Sequence, residues 1–209
     1  MSLNHPPLPE PSGASRVAPA PGAGKRALDL VLTLSGGLVL LLPALVIAML
    51  VRLTSRGPAL YWSDRVGRDN AIFRMPKFRS MKIETPAVAT HLLADPQQHL
   101  TPIGGFLRKT SLDELPQLWS VLRGDMSLVG PRPALFNQHD LIALRTERGV
   151  HRLLPGVTGW AQVNGRDELP IPQKVALDAE YLQRQSLGLD VAILVRTVWK
   201  VIRRDGVSH

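Results

Sequence analysis

The sequence predicts a mainly helical α+β chain: an apolar membrane helix, then a small domain with a short β-hairpin and amphipathic interfacial helices. Three observations lead there. Residues 30–51 run for 22 positions without a charge, most of them Leu, Val, Ile or Ala. Next come two short apolar stretches, one on each side of a turn-forming Gly67–Asn70 segment. Beyond them, capped stretches of helical periodicity extend to about residue 204.

Residues 1–24 are rich in Pro, Ala, Gly and Ser, lack apolar periodicity, and read as a disordered tail. They do not read as a secretory leader, because the apolar run begins late and no small-residue cleavage site follows it. Residues 25–56 form the membrane unit, whose uncharged run is long enough to span a bilayer. Lys25 and Arg26 precede the run and Arg52 and Arg56 follow it, so the positive-inside rule assigns no orientation. Pro43 lies inside, after Gly36–Gly37, and predicts a kink. A helix–break–helix that dips into one leaflet and returns accounts for both details. A kinked spanning helix accounts for them equally well, since proline is tolerated in lipid-embedded helices. A buried helix of a soluble domain fits least, because it would have to hide apolar surface on every side.

Residues 57–209 form the remaining domain. Tyr61–Trp62 and Ile72–Phe73 flank the Gly67–Asn70 turn and predict a hairpin within 57–84. Residues 85–101 are polar and read as a loop or a short helix. Residues 111–122 predict a helix despite Pro116, with Ser111 as N-cap and Glu114 completing a capping box. Residues 134–148 and 173–185 predict further helices, and 155–168 are rich in turn formers. Residues 189–204 interleave apolar stretches with Arg196, Lys200, Arg203 and Arg204, which suits a helix lying on a membrane surface or one packed on the core. No internal repeat is present.

Charge is distributed unevenly. The 209 residues carry 25 Lys+Arg against 17 Asp+Glu, a formal net charge of +8. Residues 52–82 alone hold eight basic and two acidic residues, directly after the most apolar stretch. A basic block in that position reads as facing anionic headgroups or an anionic substrate held at a membrane, the alternative being a solvated basic loop. No groove-reading motif accompanies it, which argues against nucleic acid. Cysteine is absent, excluding disulfides, thiolate metal ligands and a cysteine nucleophile. The 18 prolines and 17 glycines exclude a simple coiled coil.

Three segments carry chemistry. In Leu107–Leu118 the adjacent carboxylates Asp113 and Glu114 follow the cations Arg108 and Lys109 at an expected helix start. Such an end binds phosphates and keeps a carboxylate ionised. An ionised Asp is a competent nucleophile toward phosphorus, and a neighbouring carboxylate could hold Mg²⁺ on a diphosphate. A plain capping residue beside a first-turn acid explains the same pair. In Gly130-Pro131-Arg132-Pro133 two prolines restrict the backbone around Arg132, which suits bidentate phosphate binding or a structural turn. Pro155–Arg166 mixes Trp160 with amides and Arg166, fitting recognition of a base or sugar, or a compact turn around a buried Trp.

The ordered set of pieces resembles the bacterial sugar transferases, the monotopic phosphoglycosyl transferases that start polysaccharide and glycan assembly. The matching pieces are Lys25-Arg26 with Asp29, Pro43, Gly57-Pro58, Arg65-Val66-Gly67-Arg68 and Lys77-Phe78-Arg79-Ser80-Met81, then Thr101–Gln117, Gly124–Pro133 and Pro155–Arg166. They cover about residues 25–206; each alone is weak, and together in this order they are specific. The length resembles the minimal catalytic form, without the extra membrane-spanning region of larger relatives.

The resemblance implies transfer of a sugar-1-phosphate from a UDP-sugar to a polyprenyl phosphate such as undecaprenyl phosphate, with release of UMP. It implies the cytoplasmic face of a bacterial inner membrane, with membrane lipids as partners and no nucleic acid; a homo-oligomer is compatible with it. Asp113 would be the nucleophile on the β-phosphate and Glu114 would help bind Mg²⁺. Lys77, Arg79, Arg108 and Arg132 would surround the phosphates, and Asn164 and Arg166 would belong to the nucleotide–sugar site. The apolar segment would be a re-entrant helix broken at Pro43; some members carry a Ser before that proline, where this chain has Leu42. A rival chemistry is direct transfer with Asp113 as general base. The non-enzyme alternative is a membrane-anchored interaction protein docking on lipid through its basic surface, which leaves the acidic pair and the Gly-Pro-Arg-Pro turn without a role.

Overall fold

The computed structural model describes residues 22–86, 95–165 and 169–203. The expected tail therefore lies outside the described residues, apart from its last three positions. The chain is mainly helical. Helix α1 (Ala23–Thr54) is followed by a hairpin of β1 (Leu60–Val66) and β2 (Ile72–Phe78). Next come α2 (Gly104–Lys109), a 3₁₀ turn (Leu112–Gln117), α3 (Leu118–Arg123) and β3 (Ser127–Val129). The rest is α4 (His139–Glu147), β4 (Gly156–Thr158), α5 (Trp160–Gly165), α6 (Ile171–Arg184) and α7 (Leu187–Arg203).

Helix α1 is long and apolar enough to cross a membrane. Pro43 stands inside one continuous helix and not between two, which corrects the expected break into separate helices. A proline removes a single hydrogen bond, and the turns around it can remain helical. Both ends of α1 dock on the same domain. At its start, buried Lys25 donates to the Val129 carbonyl at 2.9 Å and to Asp190 at 2.7 Å. Asp29 accepts the Leu128 N–H at 3.0 Å, so α1 side chains cover the free edge of β3. Arg26 donates to the carbonyls of Val121 and Leu122 in the last turn of α3. At the other end Ile47 and Val51 pack on Phe78 and Leu107. Between these ends, from Leu34 to Pro43, no residue is buried, and Leu38, Val39 and Leu42 are each more than two-thirds exposed.

The hairpin forms as expected, antiparallel with Leu60 opposite Phe78 and Val66 opposite Ile72. Gly57, at φ 109°, turns the chain from α1 into it in a conformation that excludes a side chain. A second, parallel pairing of β3 with β4 was not apparent from the sequence; three residues per strand are too few to show a period. It joins the Gly-Pro-Arg-Pro segment to the Pro155–Arg166 segment. A Cβ on Gly156 or Gly159 would overlap the Gly130 backbone, so these three glycines press the two segments into direct contact.

Three further expectations are refined. The helix over 134–148 begins only at His139, because the Leu135 N–H is committed to the Gln138 side chain at 2.9 Å. The stretch read as turn-rich over 155–168 holds β4 and α5 in its described part, 155–165, and its last three positions lie outside the described residues. Helix α7 packs on the core through buried Asp190 and Ile193, while Leu187, Val191, Val195, Val198 and Trp199 are exposed along the other face. The main core gathers Met75, Val121, Met126, Val129, Tyr181 and Ile193 between the hairpin, α3, β3, α6 and α7.

The Lys25–Asp190 pair is nearly dehydrated, and the Tyr181 hydroxyl completes it by donating to Asp190 at 2.6 Å. Burial, and next Asp190, push the Tyr181 hydroxyl far above its usual titration, so it stays a donor. Lys25→Met leaves Asp190 buried without its cation and is expected to cost about 3–5 kcal/mol in thermal unfolding; adding Asp190→Leu should recover most of that loss.

Candidate active site

The site forms where three short segments meet, each for a local reason. Lys77 is the penultimate residue of β2, paired opposite Tyr61. Asp113 and Glu114 sit in the first turn of the 3₁₀ segment, where Pro116 lacks the N–H that a regular α-helix would use. Ser111 precedes them at φ 56°, a left-handed conformation uncommon outside glycine. Its side chain makes no cap, so the expected capping box is absent. Glu114 turns instead toward Lys77 and Arg132. Its Oε1 accepts from Lys77 Nζ and from Arg132 Nη2, each at 2.7 Å.

Arg132 is held unusually well. Each carbonyl of Pro131-Arg132-Pro133 is taken by a donor from elsewhere: the Gly156 N–H at 2.9 Å, Arg145 Nη1 at 2.8 Å and Arg65 Nη1 at 3.2 Å. Arg145 on α4 is itself locked to Asp178 on α6 through Nε at 3.0 Å and Nη2 at 2.7 Å, with both side chains at least nine-tenths buried. Burial pushes the Asp178 carboxyl upward and the Arg145 charge only partly offsets it. Arg145, Asp178 and Arg65 are positioning residues that the sequence analysis missed. Arg65 was quoted without a role. Arg145 and Asp178 lie 33 positions apart and carry no local signature.

The two adjacent carboxylates are driven apart. Burial alone would raise Glu114, but the charges of Arg132 and Lys77, with their hydrogen bonds, hold it well below the usual carboxylate range. Asp113 is 8% exposed, and its carboxylate accepts no hydrogen bond among the described residues. Burial raises it; Lys77 offsets part of that rise and the neighbouring Glu114 charge adds to it. Lys77 is lowered by burial, opposed by Glu114 and aided by Arg132. The result is one carboxylate neutralised by two cations beside a second carboxylate with open lone pairs. Arg108 and Arg132 lie near enough to lower the Asp113 titration.

The remaining candidates fall as follows. Arg108 is beside Asp113, with Nη1 3.2 Å from Met81 Sδ. Arg79 is not brought to the dyad: it donates to the Ser55 carbonyl at 3.0 Å, the Ser55 hydroxyl at 2.7 Å and the Arg56 carbonyl, at the end of α1. Asn164 bonds back to the Trp160 carbonyl at 2.8 Å on its own short helix, and Arg166 lies outside the described residues. Trp160 is half-buried, donates to Glu180 at 3.0 Å and lies under the guanidinium groups of Arg184 and Arg196, with no contact to the dyad shown. No cluster of three or more metal-ligating side chains occurs among the described residues.

Asp113 is expected to lower the stability of the folded chain at neutral pH. Below about pH 3.8 its carboxyl is neutral folded or unfolded. Above that, the folded chain holds the proton more tightly, so stability falls as pH rises toward the raised folded value and stays low beyond it. Asp113→Asn should therefore melt a few degrees higher than the parent at pH 7, with the gap closing as the pH is lowered toward 4. An equal melting temperature at pH 7 would mean that the carboxylate is not desolvated.

Comparison with known proteins gives a consistent picture. The family model described as bacterial sugar transferase matches residues 21–204. A "UDP-galactose-lipid carrier transferase" of Erwinia amylovora is 42% identical over 197 residues, covering 87% of this chain and 41% of the relative. A "UDP-glucose:undecaprenyl-phosphate glucose-1-phosphate transferase" of Escherichia coli is 43% identical over 188 residues, covering 84% and 39%. The "uncharacterized sugar transferase EpsL" of Bacillus subtilis is 42% identical over 161 residues, covering 76% and 77%. The chain thus spans about two-fifths of the first two relatives and most of the third.

Proposed function

The chain belongs to the bacterial sugar transferase family, and on that premise we propose that it transfers a sugar-1-phosphate from a UDP-sugar to a polyprenyl phosphate in the membrane, releasing UMP. The observation that carries this reading is Asp113: a buried carboxylate with open oxygens, among cations, beside a Glu114 already neutralised. In the first step an Asp113 oxygen attacks the β-phosphorus of the donor. An acyl-phosphate bond forms, the P–O bond to UMP breaks, and UMP leaves with the electron pair. In the second, an oxygen of the lipid phosphate attacks the same phosphorus. The Asp113–phosphorus bond breaks, the carboxylate is regenerated, and a lipid diphosphate sugar departs.

Lys77, Arg108 and Arg132 would stabilise the charge displaced in each in-line transfer. Arg132 acts from a fixed backbone, so its guanidinium needs little reorganisation. Glu114 keeps Lys77 and Arg132 on one side of the nucleophile. The carboxylate pair fits a Mg²⁺ ion, which takes one or two carboxylates together with substrate phosphate oxygens. The open oxygens of Asp113 are the better ligands, since Glu114 is engaged by two cations. Mg²⁺ bound there would share the negative charge of the donor diphosphate.

The membrane reading rests on α1. A straight rod laid on a convex domain touches it in the middle, whereas α1 touches at both ends and is clear of it between. That supports a bent, re-entrant path with both ends on the cytoplasmic face of the inner membrane. The exposed apolar face of α7, with Trp199 beneath Arg203, supports an interfacial position for that helix.

Incubation with a labelled UDP-sugar and no acceptor should leave phosphosugar on the parent protein and none on Asp113→Asn. UMP release that appears only with polyprenyl phosphate, and without any adduct, would replace the covalent route by direct transfer. No turnover across a panel of UDP-sugars would overturn the assignment. Because the chain lacks cysteine, Gly22→Cys and Thr54→Cys report cleanly on the two ends of α1. Both are expected to react with an impermeant thiol reagent from the same membrane face, and labelling from opposite faces would exclude re-entry.

A further inference from the structure

The C-terminal end of α1 borders a cleft of about 300 Å³ that shares no residue with the dyad. Its wall carries Arg56, Arg79 and Lys82 against one carboxylate, Glu84. Arg52 stands close enough for its charge to act on Arg79. Arg79 is 5% exposed, and its two Nη atoms are occupied at the end of α1. Its Nε is buried without a hydrogen-bond partner. A buried guanidinium N–H left unpaired is costly unless a ligand supplies the acceptor. Arg56 and Lys82 are exposed and have no ion-pair partner among the described residues. The cleft therefore offers several unneutralised donors along one wall.

Its rim is apolar. Ile83, on the cleft wall, is 63% exposed, and Leu53, one residue before the lining Thr54, is 75% exposed. Both adjoin the point where the apolar surface of α1 gives way to polar backbone. Cations inside and exposed aliphatic side chains outside match an amphiphile with a phosphate head, and a freely dissolved anion would gain nothing from the aliphatic rim. We propose that this cleft is a second anion site that takes the phosphate headgroup of an acidic phospholipid and thereby fixes the depth of the C-terminal end of α1 in the membrane. Arg79 then keeps the phosphate-binding part the sequence implied for it, at a different phosphate. The proposal rests on the membrane reading of α1 and not on the identity of the sugar donor.

The test uses the full chain in lipid nanodiscs of phosphatidylcholine alone or with about 30 mol% phosphatidylglycerol, an acidic surface of the kind that draws juxtamembrane cations. The acidic lipid should raise the melting temperature of the parent by several degrees. Arg56→Gln/Lys82→Gln should lose at least two-thirds of that rise, while its turnover in phosphatidylcholine alone stays within twofold of the parent. A control that removes two exposed charges elsewhere, Arg123→Gln/Arg148→Gln, should keep the rise. Equal loss in the control would reduce the effect to general surface attraction and overturn the site. Inorganic phosphate reproducing the rise without acidic lipid would overturn the lipid assignment in favour of a free phosphate, and a rise from polyprenyl phosphate that Arg56→Gln/Lys82→Gln loses would overturn the phospholipid assignment and make the cleft an acceptor site. A parent that sediments with phosphatidylcholine vesicles yet shows no rise overturns the site alone. A parent that fails to sediment overturns the membrane reading as well.

Discussion

Both ends of α1 are tied to one domain, and the remaining geometry follows from that constraint. The two attachments differ in kind. The first is polar and dehydrated, built from Lys25, Arg26 and Asp29 on groups of α3, β3, α6 and α7. The second is largely apolar, Ile47 and Val51 on Phe78 and Leu107, finished by Arg79 on the last carbonyls. Polar contacts that are satisfied in only one geometry set position, whereas apolar contacts tolerate small slides. The start of the helix is thus the registered end. Its partners α3 and β3 lead directly from the 3₁₀ turn into the Gly-Pro-Arg-Pro turn, so the distance from the membrane segment to Asp113 and Arg132 is built from short, stiff connections.

Within the site, the same cations act oppositely on neighbouring acids. Lys77 and Arg132 bond Glu114 and hold its charge, while Asp113 meets them only through space and stays raised by burial. Two carboxylates pushed in opposite directions by their surroundings take on different tasks. Glu114 organises cations; Asp113 is left with open lone pairs and an unpaid desolvation cost, which is the condition of a reactive oxygen. The buried Arg145–Asp178 pair serves this arrangement from behind, since it holds the backbone from which Arg132 reaches Glu114.

Much of this was legible in the sequence, and the gaps have physical causes. The apolar run, the hairpin and the helices after residue 170 were visible because length and periodicity encode them locally. Asp113, Glu114 and Arg132 stood out through unusual residue types in short motifs and Lys77 through the family resemblance, and the structure joins them. The local capping signal at Ser111 misled, because tertiary ion pairs outcompete a capping bond for Glu114. Arg79 was placed with the dyad on motif membership, yet at the end of the hairpin it reaches α1. Arg145 with Asp178, and Lys25 with Asp190, were silent: a buried ion pair between distant helices leaves no spacing to read, and each charge alone resembles a solvated surface residue.

The contact of Gly130 with Gly156 and Gly159 has a consequence for how such a site diversifies. Backbone pressed on backbone leaves no room for either segment to breathe or to accept a side chain. The arginine turn and the start of α5 therefore behave as one casting. A change of shape at the site cannot come from widening that junction. It must arise from side chains projecting off its rim, or from loops hinged elsewhere. The junction is fixed hardware, and any variation is an attachment to it.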